Sequence, residues 1–312
     1  MNVLALIGAL ALTYYRPLAR PDWLKQFYTP YSRLLERNFN GGKQLQGVIA
    51  WLLAALLPAI VVGITYFALL HINSLAGILF GIVILYLTLR FSLFGKRAED
   101  IAAALRDHNI DHARALLREW DSAETNHYSA SQVACVSIET TLARAHHGLF
   151  APIFWFVLLG PAGALLYRLA HLLKSEWAIN ADTQLNNPTN NQFADFAHKA
   201  FDWLDWLPTR VTAGCFAIVG DFEDAAYCWR TQATSWPDRA LGIILASGAG
   251  ALGVKLGDPL PYRGVLHFRP ELGLGDEADA DYLQSAVGLV WRVLILMVGL
   301  VLLLTFAHWL GN

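Results

Sequence analysis

The chain has 312 residues, 55% of them hydrophobic and only 15% charged, with a mean hydropathy of +0.39. A soluble domain usually carries about 25% charge, so an ordinary cytosolic enzyme and a disordered protein are both excluded and part of the surface must meet lipid. Eleven Trp, eleven Tyr and sixteen Phe suit wide membrane interfaces, where amphipathic rings settle at headgroup level, while a net charge of −2 excludes a nucleic-acid binder that must displace counterions from phosphate. Cys135, Cys215 and Cys228 have neither an even count nor metal-ligand spacing, which predicts free thiols.

Taken in order, Val3 to Tyr15 is apolar but short for a span and has no Lys or Arg before it, so it reads as a short anchor and not a cleaved signal. Trp23, Phe27, Tyr31 and Leu34 form a stripe broken by Pro30. Residues 47–70 carry no charge and 72–94 carry only Arg90, so each is long enough to span and the brief link makes them an antiparallel hairpin. Pro58 and Gly63 are expected to bend the first member. Residues 96–120 read as a small cytoplasmic helical insertion, two amphipathic helices joined at Asp107 to Asp111. His108 and His112 stand at i, i+4, but the turn between them favours solvated histidines over a metal pair.

Residues 149–173 form a further span interrupted by Gly160, Pro161 and Gly163, the pattern of a kinked or re-entrant segment. Residues 178–192, rich in Asn, Asp and Thr, read as a flexible loop. Phe193, Phe196, Ala197, Ala200, Phe201 and Leu204 make an amphipathic stripe with Trp203 and Trp206 as membrane anchors. Val211 to Gly220 and Leu241 to Leu256 are apolar, short and glycine-rich, as half-helices inside a bundle would be. The last span covers 286–310, with Arg292 expected to snorkel or to pair with Asp279 or Asp281. Lys and Arg concentrate in 16–46 and 95–148, which places both loops on the cytoplasmic side. The expectation is an all-α, polytopic membrane helical bundle forming one domain over 1–312.

Three features invite chemistry. Gly248, Gly250 and Gly253 satisfy a dinucleotide fingerprint, but a glycine- and alanine-rich apolar segment surrounds them and Pro259 closes it, so close helix packing explains them better. Asp276, Glu277, Asp279 and Asp281 precede the last span and serve either Mg²⁺ or the helix dipole, the second being favoured. Glu139 lies before the apolar run from Leu149, on a helix with Arg144, His146 and His147; it is a candidate metal ligand or base, or one half of an ion pair.

Residues 137–155 (SIETTLARAHHGLFAPIFW), 160–167 (GPAGALLY), 206–210 (WLPTR), 250–257 (GALGVKLG) and 262–264 (YRG) occur in an order that resembles the CobD/CbiB family of membrane proteins. The resemblance implies a multi-pass protein of the bacterial inner membrane and, for biosynthetic members, an adenosylcobinamide-phosphate synthase that uses ATP and Mg²⁺ to join an aminopropanol-derived side chain to a corrinoid carboxylate. Positions where that branch is expected to hold acids or amides are Ala143, Arg144, His147, His171 and Lys174 here, and the Asp205 to Val211 run resembles the AmpE regulatory branch. The departures lead to the expectation of a protein degenerate at the synthase site that acts in AmpE-like signalling linked to the cell wall or the β-lactam response, with a signalling protein as partner. The alternative is the synthase itself, with Glu139, Asp121, Asp202 and Arg210 as working residues, Glu139 and Asp121 as metal candidates, and ATP and Mg²⁺ required. A third reading is a corrinoid-binding module without catalysis, with Glu139, Arg168, His171, Arg210 and Tyr262 as ligand contacts.

Overall fold

A computed structural model describes residues 2–16, 23–41, 43–121, 125–183, 192–257, 259–262 and 265–310. The helices in chain order are α1 (Asn2–Tyr15), α2 (Trp23–Phe39), α3 (Gln44–Trp51), α4 (Leu57–Ile72), α5 (Ser74–Thr88), α6 (Phe91–Arg106), α7 (Ile110–Asp121), α8 (Ala130–Ala145), α9 (Ala151–Leu159), α10 (Pro161–Thr183), α11 (Gln192–Val219), α12 (Phe222–Thr231), α13 (Arg239–Leu252) and α14 (Ala280–Leu310). The exception to the all-α expectation is a hairpin of two three-residue strands, β1 (Leu260–Tyr262) and β2 (Val265–His267), paired antiparallel.

The chain divides into two compact units, one from Met1–Arg90 with His147–Leu207 and the other from Phe91–His146 with Pro208–Asn312. In the first unit α1 packs on α5, α4 on α5, and α10 on both members of that hairpin. Its core holds Tyr28, Trp51, Tyr167, Trp177, Phe193 and Phe201. The hairpin turns at Asn73, whose side chain caps α5 by accepting from the backbone N–H groups of Leu75 and Ala76. The first member carries a π-helical turn at Leu52–Leu56, two residues before Pro58, the kind of feature at which helices kink. In the second unit α14 packs against α6 and α8, and α13 against α8 and α12. The insertion forms as expected, with α6 and α7 joined through His108 in the left-handed region at φ 54.

Three helical runs are long and apolar enough to cross a membrane: Gln44–Ile72, Ala130–Leu159 and Ala280–Ala307. Leu57, Ile60, Val61, Ile64 and Phe67 are exposed on the first and Ile295, Leu300, Leu303 and Phe306 on the last, as lipid-facing positions would be. The span expected at 72–94 stops at Thr88, because Leu89 is extended (φ −75, ψ 144) and Arg90 donates its backbone N–H to the carbonyl of Gly148. The span expected at 149–173 is divided by Gly160, at φ +66, which ends α9 and lets Pro161 begin α10. Glycine has no Cβ to oppose that conformation, and proline is preset for a first helical turn. The apolar run instead extends backwards to Ala130.

Helix α10 continues to Thr183 through part of the expected loop, and 184–191 lie outside the described residues. Helix α11 buries Phe193, Ala197 and Phe201 and exposes Trp203 and Trp206, as the stripe predicts, but runs unbroken through Pro208 to Val219 where a separate half-helix was expected. Arg292 donates to the Val219 carbonyl at 3.0 Å, not to Asp279 or Asp281. Asp279 accepts from the backbone N–H groups of Asp281 and Tyr282 at the start of α14, and Asp281 pairs with Arg106 at 2.8 Å. The acidic run therefore serves the helix end.

Candidate functional site

In the second unit the polar centre is Glu139, in the middle of α8 and 8% exposed. Arg269 grips it as a fork, Nη1 to Oε2 at 2.7 Å and Nη2 to Oε1 at 3.1 Å. The backbone N–H of Gly257 adds a bond to Oε1 at 3.0 Å, and the Cys135 thiol lies 3.4 Å from the same oxygen. Gly257 sits at φ +86, and a Cβ there would collide with the carbonyl of Pro270, so only glycine delivers its N–H to the carboxylate. Arg269 also lies over the Trp236 ring at 5.5 Å. Burial works against the guanidinium charge, but Glu139 more than offsets it and holds Arg269 above its ordinary pKa. The segment from Val254 to Asp276 is tied down by paired backbone bonds between Leu256 and Leu272 and by the Lys255 N–H on the Asp276 carbonyl.

This set does not fit a Mg²⁺ ion. Both oxygens of Glu139 are taken, and Arg269 already supplies the positive charge that a divalent cation would bring. Asp279 and Asp281 are engaged as described above, Asp276 accepts from the Tyr282 hydroxyl, and the side chains of Asp121 and Tyr262 lie outside the described residues. Arg210, on α11, is half-buried, and burial together with the nearby Arg239 cation holds it below its ordinary pKa. Gly248 and Gly250 meet Leu142 and the Asp224–Ala225 backbone so closely that a Cβ could not be added without displacement, while Gly253, at φ +68, ends α13, so the glycine pattern serves packing and a helix end.

In the first unit a hydrogen-bonded chain joins three side chains. Tyr167 donates its hydroxyl to Asp205 Oδ1 at 2.7 Å, and His147 Nδ1 lies 2.9 Å from the same hydroxyl. The tyrosine has one proton and the carboxylate takes it, so His147 must donate through Nδ1–H and, when neutral, carries its lone pair on Nε2. The His147 and His171 rings lie 4.8 Å apart, and both pack near Phe201. Lys174 pairs with Asp202 at 3.0 Å and stands over Phe201. Arg168 on α10 is 3% exposed.

The predicted site residues are thus divided: Glu139 and Arg210 in one unit, Arg168, His171 and Asp202 in the other. Sequence reasoning found Glu139 but missed Arg269, whose only signal was one basic residue among many in a polar stretch. Tyr167 and Asp205 lay inside the quoted motifs, and nothing in their spacing announced that they bond each other.

The CobD/Cbib protein family model matches residues 4–290. A protein of Stutzerimonas stutzeri named cobalamin biosynthesis protein CobD is 37% identical over 282 residues, 88% of each chain. A protein of the same name from Chromobacterium violaceum is 34% identical over 70% of this chain and 68% of its own, and one from Leptospira interrogans 25% identical over 78% of each. No solved structure matches the chain. These relatives overturn the signalling expectation, since the chain's similarity runs to proteins named for cobalamin biosynthesis. The charges on which that expectation rested have structural employment: Arg144 donates to the Trp120 carbonyl and stacks on the Trp120 ring, while Lys174 is neutralised by Asp202. A cation so engaged says nothing about a lost metal site. The chain is a membrane protein of the CobD/CbiB family.

Proposed function

We propose that the protein acts in cobalamin biosynthesis as the multi-pass inner-membrane synthase that joins an aminopropanol-derived amine to a corrinoid carboxylate. The observation that carries this reading is the 37% identity, over 88% of both chains, to a protein named for that pathway. Amide formation from a carboxylate needs the acid oxygen made into a leaving group. With ATP as phosphoryl donor the carboxylate becomes an acyl phosphate, the amine nitrogen forms the C–N bond, and inorganic phosphate departs.

The chain's own residues supply parts suited to these steps. Asp205 and Tyr167 hold His147 in the tautomer whose Nε2 accepts a proton, as a base for an attacking amine must. Glu139 and Arg269 fix the Gly257 segment against α8. Because Glu139 is committed to Arg269, metal binding at that carboxylate is not part of the reading.

Purified full-length protein in detergent, supplied with adenosylated corrinoid acid, ATP, Mg²⁺ and aminopropanol phosphate, is expected to form the amide, followed by chromatography with visible detection. His147→Ala is expected to lower kcat by about 100-fold, the usual worth of a general base. Absence of product from folded protein would overturn the reading.

A further inference from the structure

Helix α10 carries two buried polar groups that the surrounding residues leave unanswered. Arg168 is 3% exposed, and among the described residues its guanidinium has no hydrogen-bond or ion-pair partner. His171 Nδ1, three residues on, is buried and also unpartnered. Residues three apart on a helix are neighbours on one face, so the two gaps adjoin. Arginine keeps its proton in proteins, and a buried charge without a counter-ion is strongly unfavourable.

The nearby acids of the same unit are committed elsewhere. Asp202 pairs with Lys174 and Asp205 takes the Tyr167 hydroxyl. Lys174 continues the Arg168 and His171 row at the same three-residue spacing, and Arg90 is tied by its backbone to Gly148, next to His147. The row is therefore mainly cationic and aromatic in character, bounded by Phe201, with the Tyr167-bonded Asp205 as the acid whose charge reaches His171. A divalent metal would meet the Arg168 charge and be repelled. An oxyanion would be attracted, because the planar guanidinium offers two parallel N–H groups to a pair of oxygens and the imidazole offers a third donor when Nδ1 carries a proton.

We propose that Arg168 and His171 form a binding site for a phosphoryl oxyanion, presented either by a soluble phosphate compound or by a phospholipid headgroup. The site does not depend on whether the chain catalyses amide formation, since it rests on these two side chains alone.

The test uses the full chain in a non-phosphate detergent and in nanodiscs, with thermal unfolding and calorimetric titration as readouts. Inorganic phosphate and pyrophosphate are the soluble probes; phosphatidylglycerol against uncharged glycolipid nanodiscs is the lipid arm. The expected result is that one arm raises the melting temperature of the wild type. Arg168→Met should weaken that binding about 10-fold or more, the worth of a charge-assisted hydrogen bond, while melting no lower than wild type without ligand, because it removes an uncompensated charge. A soluble-probe response without a lipid response assigns the site to free phosphates, and the reverse assigns it to headgroups. If Arg168→Met fails to fold, His171→Leu carries the same comparison, with weakened binding supporting the site and unchanged binding opposing it. No response to any probe, or a full response in both variants, overturns the proposal.

Discussion

Glu139 and Arg269 hold each other in a place where neither tolerates isolation. Glu139→Ala strands the guanidinium beside Trp236 and is expected to cost about 3 kcal/mol, read as a lowered denaturant midpoint of the detergent-solubilised protein. Glu139→Gln with Arg269→Met removes both charges and should recover part of that loss; a double variant no more stable than the single would show that the pair is not the source. Gly257→Ala meets a second constraint, since it puts a side chain at φ +86 against the Pro270 carbonyl, and should destabilise by more than about 1 kcal/mol. Cysteine chemistry follows the same logic. Cys135, Cys215 and Cys228 are all buried, and burial, with Asp224 nearby, pushes the Cys228 thiol up. Less thiolate at a given pH means slower alkylation. Iodoacetamide at pH 8 is expected to label the native protein far more slowly than the denatured one, and fast native labelling would contradict the burial.

At the level of helices, the small residues of α13 are where packing is decided. Gly250→Ala would press on the Asp224–Ala225 backbone, whereas nothing lies within 4 Å of a Cβ at Gly288 on α14. The first change should lower the melting temperature, and the second should leave it unchanged or raise it, a helical Gly→Ala change being worth up to about 1 kcal/mol of stability. Asp279→Ala loses the cap of α14 and should cost about 1 kcal/mol. Much of this scale was legible in the sequence. The charge-free run at 47–70, the 96–120 insertion and the Phe193 to Leu204 stripe declare themselves through periodicity and length. Boundaries set by backbone geometry did not: Leu89 turning extended, Gly160 turning left-handed and the backward extension of the Gly160 helix to Ala130 depend on packing that no hydropathy pattern encodes. The site was legible only at Glu139, because its partner Arg269 lies 130 residues away in sequence and pairing across that distance leaves no local mark.

For the whole molecule the decisive property is the apolar surface of the first and last spans. Ile64 and Leu303 are both more than 60% exposed, so burying a charge at either position in lipid should cost about 3 kcal/mol. Ile64→Lys and Leu303→Lys are expected to reduce the protein recovered in alkaline-washed membranes, while Asp107→Lys, on the exposed turn between α6 and α7, should not. Equal recovery of all three variants would count against the lipid-facing assignment.

The division into two units, each made from two separated stretches, sets an order of events on the ribosome. The first unit's last residue is Leu207, and the second needs the chain through to its C-terminal helix. Every contact of the first unit is therefore available while the final hundred or so residues are still being made, although residues 91–146 must be carried as an unfinished loop until Pro208 onward arrives. A stop after Leu207 should leave a folded first half and a stranded, half-built second one, which quality-control proteases would recognise by the exposed faces of α6 and α8.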